Sequence, residues 1–147
     1  MSADKSQPKR SDYFHFYELD TRWSDNDIYG HVNNVVYYSY FDSAVNRYLI
    51  EQGELDIHGG SVIGIVVSSH CHYHSALAYP DKIEAGLKVD RLGNSSVHYG
   101  VGIFKRGHHL ASAHGQFVHV FVDRETRRPI PIPDTIRSAF TALLKSE

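Results

Sequence analysis

From Asn34 to Gln52 the apolar residues Tyr37, Phe41, Ala44, Val45, Tyr48 and Leu49 recur at helical spacing, with Ser39, Asp42, Asn46 and Arg47 on the polar flanks. The pattern predicts one long helix with Asn33 or Asn34 as its N-cap and Gly53 as its stop. Most of the remaining apolar positions alternate as strands do. Phe14 to Trp23 predicts a first strand, with Phe14, Phe16 and Glu18 on one side. Beyond Gly59 and Gly60, Val62 to Ala76 predicts a second. Ile83, Ala85, Leu87 and Val89 then alternate with Glu84, Gly86, Lys88 and Asp90, as a half-buried strand should. Gly93 and Asn94 turn the chain into another alternation at Val97, Tyr99, Val101 and Ile103. Gly107 turns it again, into a strand from Leu110 to Val122. Pro129, Pro131 and Pro133 predict an extended segment, and Asp134 is placed to cap a short helix reaching about Lys145.

A single apolar helix followed by an antiparallel meander is buried best when the sheet wraps around it. The fold class is therefore α+β, with an antiparallel sheet of about five strands and a long central helix. No internal repeat or second domain is visible, and residues 13–147 read as one domain. Met1 to Asp12 is polar, carries Lys5, Lys9 and Arg10, and has no apolar run. It reads as a disordered tail rather than a signal peptide.

Composition narrows the function classes. The 147 residues suffice for a core without disulfides or metal, and the formal net charge of -2 offers no basic surface for nucleic acid. No run approaches the roughly 18 apolar residues of a membrane span. One cysteine, Cys71, excludes an internal disulfide and suits a reducing cytoplasm.

The candidate chemistry lies just before the helix, in Trp-Ser-Asp-Asn-Asp-Ile-Tyr-Gly-His-Val-Asn-Asn, residues 23–34. Asp27 sits in a turn-rich loop a few residues from the helix start, and Gly30 lets the backbone bend sharply. A carboxylate there can attack a carbonyl or activate water against it. The unpaired N–H of Asn34 or Val35 can then hold the oxyanion. The plain alternative is that Asp25 and Asp27 only stabilise the loop and the helix start electrostatically.

Asp25, Asp27, Gly30, Asn34, Tyr37 and Asp42 fit the pattern Asp-x-Asp-x-x-Gly-x-x-x-(Asn or Tyr) followed by a tyrosine-bearing helix. In this the chain resembles the 4-hydroxybenzoyl-CoA thioesterase family of hotdog-fold acyl-CoA thioesterases, over roughly residues 14–133. Tyr73 with Asp81, Gly93 to Ser96, and Phe121-Val122-Asp123 extend the likeness. The resemblance implies a hotdog fold and hydrolysis of an acyl-CoA, or of the same acyl group on a carrier protein, without metal or redox cofactor. It implies Asp27 as the catalytic carboxylate and the Asn34 backbone as the oxyanion donor. It also implies assembly into homodimers or homotetramers. His31 either positions Asp27, lines the thioester channel, or braces the loop. Tyr37, Asp25 and Arg91 are taken as substrate contacts, with Asp25 alternatively orienting the loop or tuning Asp27.

Other constellations are weaker. His70, His72 and His74 share one face of a strand, which suits a structural role, a pH-sensitive interface or a zinc site that has no evident acidic or cysteine partner. Cys71 faces the other way and reads as a small buried residue. Arg91, Lys105, Arg106, Arg124, Arg127 and Arg128 lie at strand ends or turns, where cations can reach the phosphates of coenzyme A. The rival activities are hydration of an enoyl thioester, against which the absence of Asn-Pro-x-His counts, and non-catalytic binding of acyl thioesters.

Overall fold

A computed structural model describes residues 7–145. Five strands, β1 (His15–Asp20), β2 (Val62–Tyr73), β3 (Lys82–Leu92), β4 (Ser96–Lys105) and β5 (Ala113–Asp123), form one antiparallel sheet in the order β1-β3-β4-β5-β2. The long helix α1 (Val36–Glu51) packs on one face of the sheet, and a short helix α2 (Asp134–Thr141) adds Ile136 and Phe140 to the same core. The α+β hotdog architecture expected from the periodicity and the resemblance is the one observed.

The alternation of β3 and β4 translates directly into burial. Ile83, Ala85, Leu87, Val89, Val97, Tyr99, Val101 and Ile103 all point into the core, against Tyr37, Phe41, Ala44, Val45, Tyr48 and Leu49 of α1. Neighbouring strands present their apolar side chains on one face because successive residues point oppositely. The Tyr48 hydroxyl donates to the Ala139 carbonyl at 2.6 Å, tying α1 to α2.

Several boundaries differ from expectation. The first strand ends at Asp20 rather than Trp23, because Trp23–Asp25 forms a 3-10 turn closed by Asp25. β2 ends at Tyr73, and β5 begins only at Ala113. Asp134 lies in the first turn of α2 rather than at its cap, and that helix ends at Thr141.

The expected tail is partly ordered. Residues 1–6 lie outside the described residues, but residues 8–12 are fastened across the outer face of the sheet. Lys9 bridges to Leu110, Arg10 pairs with Glu84 at 2.6 Å, and Tyr13 packs with Phe16, Phe104 and Ala111 in a second small core. The strap follows from the glycines of β3 and β4. A Cβ on Gly102 would stand 2.7 Å from the Tyr13 ring, so only glycine lets the ring lie flat on the strand.

Candidate active site

The loop between β1 and α1 is held by bonds that local sequence makes available. Asp27 closes a tight turn: its N–H donates to the His31 carbonyl at 2.9 Å, and its own carbonyl accepts from Gly30 at 3.0 Å. Gly30 adopts φ +82, a left-handed conformation that glycine takes without steric cost. The Asp27 side chain accepts the Tyr29 N–H on Oδ1 at 2.8 Å, and Oδ2 has no hydrogen-bond donor among the described residues. One carboxylate oxygen is thus engaged in orienting the group while the other stays available.

Asn33 organises the helix start. Its Oδ1 accepts the Val35 N–H at 3.0 Å and its carbonyl accepts the Val36 N–H at 2.9 Å. The regular helix therefore starts at Val36, later than expected, with Asn33 capping the turn that leads into it. This separates the two oxyanion-donor candidates. The Val35 N–H is already taken, whereas the Asn34 N–H donates to no acceptor among the described residues. The Asn34 carbonyl is held in turn by the Tyr73 hydroxyl at 3.0 Å.

Asp27, His31, Val32, Asn34, Tyr37, Tyr73 and His74 line one cavity of about 410 Å3. Of the residues singled out by sequence, the fold thus brings Asp27, Asn34, His31 and Tyr37 together. Tyr37 and Tyr73 meet edge to face with ring centres 5.1 Å apart, forming an aromatic wall. Burial pushes the Tyr37 hydroxyl up to about 12 and the Tyr73 hydroxyl higher still, so both are neutral donors at ordinary pH. Asp27 and Tyr29 also border a wider opening with Trp23 and Ile28, which are 75% and 93% exposed.

Two of the expected substrate contacts lie elsewhere. Asp25 is 1% exposed and its oxygens are occupied by Arg22 and the Tyr40 hydroxyl, so it does not face the cavity. Arg91 is exposed near the far end of β3. The register runs Tyr73, Ala113, Ile103, Ala85 across the sheet, and Arg91 lies six residues beyond Ala85, or about 20 Å at strand rise. None of the six cations considered for phosphate contact lines the cavity. Lys105 faces Asp81, Arg106 faces Glu18, and Arg124 donates to the carbonyls of Gly60 and Ile57.

The histidine strand acquires a partner that sequence reading missed. His114 on β5 lies opposite His72, and its Nδ1 is 2.7 Å from His74 Nε2. Those two rings are within 3° of parallel with centres 4.9 Å apart. That separation is about the nitrogen distance plus one ring radius from each, so the rings meet edge to edge in a common plane. No group of three histidine, cysteine or acidic side chains among the described residues is arranged to hold a metal ion. Cys71 points the other way, toward the core, and burial pushes its thiol up to about 11. Tyr73 and His74 join the cavity through strand register and the bend after β2, neither of which local sequence reveals.

Comparisons with known proteins agree with this fold. Residues 21–140 match the thioesterase-like superfamily. The crystal structure of the PA5185 protein from Pseudomonas aeruginosa is 58% identical, covers 95% of this chain and 98% of its own, and superposes with a TM-score of 0.94. The PA2801 protein of the same organism is 29% identical over 86% of this chain and 98% of its own, with a TM-score of 0.78. A 1,4-dihydroxy-2-naphthoyl-CoA thioesterase from Synechocystis shares the fold at 17% identity, with a TM-score of 0.77 over 86% of this chain and 94% of its own. With four fifths of its length matched, this chain belongs to the thioesterase-like superfamily.

Proposed function

We propose that the protein is an acyl-CoA thioesterase, converting an acyl-CoA and water to a carboxylic acid and coenzyme A. The observation that carries the reading is the meeting, in one cavity, of a carboxylate oxygen and a backbone N–H that are both without a hydrogen-bond partner among the described residues. With the thioester carbonyl at the start of α1, Asp27 has two routes. It takes a proton from water as the water oxygen attacks the carbonyl carbon, or it attacks that carbon itself to give a mixed anhydride that water then opens. In both, the C–S bond breaks, the sulfur leaves as thiolate and takes up a proton, and charge on the carbonyl oxygen points at the Asn34 N–H. A single donor of this kind contributes about 2.7–4 kcal/mol to the transition state in other enzymes. His31 and Tyr37 line the cavity beside the reacting carbonyl and complete the proposed site.

The carrier-protein thioester presents the same acyl arm and is a second substrate form of the same reading. We further propose that the protein acts as a homodimer or homotetramer in the cytoplasm. The outer edge of β2 pairs with no strand among the described residues and carries exposed Val66 and Val67, which supports assembly. The free Cys71 suits a reducing compartment, and no helix among the described residues is long and apolar enough to cross a membrane.

The test is release of free thiol from aliphatic and aromatic acyl-CoAs by the wild type and by Asp27→Asn, side by side. Loss of about 10²-fold or more in the variant, with an unchanged fold by circular dichroism, is expected. A wild type that releases no thiol from any acyl-CoA, while hydrating an enoyl-CoA or merely binding the acyl thioester, would overturn the reading.

A further inference from the structure

We infer that Asp25 and Tyr40 form a positioning pair that sets the distance between the Asp27 carboxylate and the Asn34 N–H, an inference that rests on the thioesterase reading above. Asp25 is among the most deeply buried polar residues in the chain, and every bond it makes holds the loop. Its Oδ2 accepts the Tyr40 hydroxyl and the Arg22 N–H, each at 2.8 Å, and its Oδ1 accepts Nε and Nη2 of Arg22 at 3.2 Å. Its backbone carbonyl accepts the Asn33 N–H at 2.9 Å. One residue therefore joins the start of the loop, the interior of α1 and the residue that organises the helix start.

The two reacting groups lie on either side of this clamp. Asp27 follows Asp25 by two residues, and Asn34 follows Asn33 directly. The Tyr40 ring meets the Tyr37 ring edge to face at 5.9 Å, Tyr37 meets Tyr73 at 5.1 Å, and the Tyr73 hydroxyl holds the Asn34 carbonyl. Loop, helix and β2 are thus tied in a closed circuit around the cavity. A buried carboxylate is tolerated only when its oxygens are satisfied. Removing the Tyr40 hydroxyl leaves Oδ2 with a single donor, and the loop can recover solvation only by moving. A shift of about 1 Å in a reacting group can lower turnover by about 10²-fold.

Tyr40→Phe is the informative variant because it keeps the ring and deletes only the hydroxyl. We expect kcat to fall by about tenfold or more with KM changed less than about twofold, because alignment rather than binding is lost. On an Asp27→Asn background the same change should cost much less than in the wild type, since only the Asn34 N–H is left to position. Asp25→Asn, which keeps an acceptor for Tyr40, should fall between the wild type and Asp25→Ala. Amide hydrogen exchange reads the clamp without turnover. The Asn33 amide should exchange about tenfold faster or more in Tyr40→Phe, while the central amides of β3 and β4 stay protected. Unchanged kcat in Tyr40→Phe beside an inactive Asp27→Asn would overturn the inference. So would equal effects of Tyr40→Phe on both backgrounds, or unchanged Asn33 exchange. A wild type inactive on all acyl-CoAs would instead sink the thioesterase reading, and the exchange measurement would still decide the clamp.

Discussion

His119 is one of the few polar side chains in the core, 2% exposed between Phe117 and Phe121, with the Tyr99 hydroxyl 3.0 Å from its Nδ1. Burial lowers its pKa from 6.5 to about 4, because a charged imidazole there would lose its hydration. In the unfolded chain the same ring takes a proton near pH 6.5, so below that pH the unfolded state binds more protons than the folded one. Stability from this residue is therefore complete above pH 6.5 and declines as pH falls toward 4, by about 2 kcal/mol at pH 5. Urea unfolding at pH 7 and pH 5, with an NMR titration of the His119 ring, checks this. A ring that titrates near 6.5 in the folded protein would remove the effect. Cys71 illustrates the same physics with the opposite sign. Burial holds it as the neutral thiol, so alkylation by iodoacetamide at pH 7.5 should be much slower than for a free thiol.

At the scale of elements, the strap of residues 8–12 and its anchor Tyr13 explain why β3 and β4 carry glycine on their outer face. Tyr13 meets Phe104 edge to face at 5.7 Å, and Lys88 lies over its ring. Gly102→Ala should destabilise by about 1–3 kcal/mol, as overpacking does, because the new methyl meets the Tyr13 ring. Tyr13→Ala should cost about 3–5 kcal/mol by truncating a buried aromatic. The double variant should cost less than the sum, since the ring that clashes is then absent. Urea midpoints of the four proteins test this, and strict additivity would mean that the ring and the glycine do not touch. The strap read as a polar tail because its ordering comes from segments about 75 to 100 residues away: Arg10 donates to Glu84 in β3 and to the His108 carbonyl in the turn after β4.

At the scale of the whole molecule, β2 is a twelve-residue strand with one edge unpaired among the described residues, and residues 66–70 along it are exposed. A long unpaired edge with exposed valines is a template for pairing with another chain. Sedimentation should give a mass of two or four chains, and Ser69→Pro, which removes an N–H from the strand, should shift it toward one. A wild type that sediments as a single chain at micromolar concentration would contradict the proposed assembly.

The order of elements, the core faces of α1, β3 and β4, and the place of Asp27 before the helix were all legible in the chain itself. Each depends on a period of 3.6 or 2, or on a few consecutive residues, and such patterns survive without tertiary context. Tertiary structure alone decided which neighbours meet. It turned Asp25 inward onto Tyr40, left Arg91 far from the cavity, and set His114 against His74. It also brought Tyr73 to the helix start, where its hydroxyl holds the Asn34 carbonyl. Those outcomes depend on strand register and on competition for hydrogen bonds between segments distant in sequence. Local pattern carries no record of either.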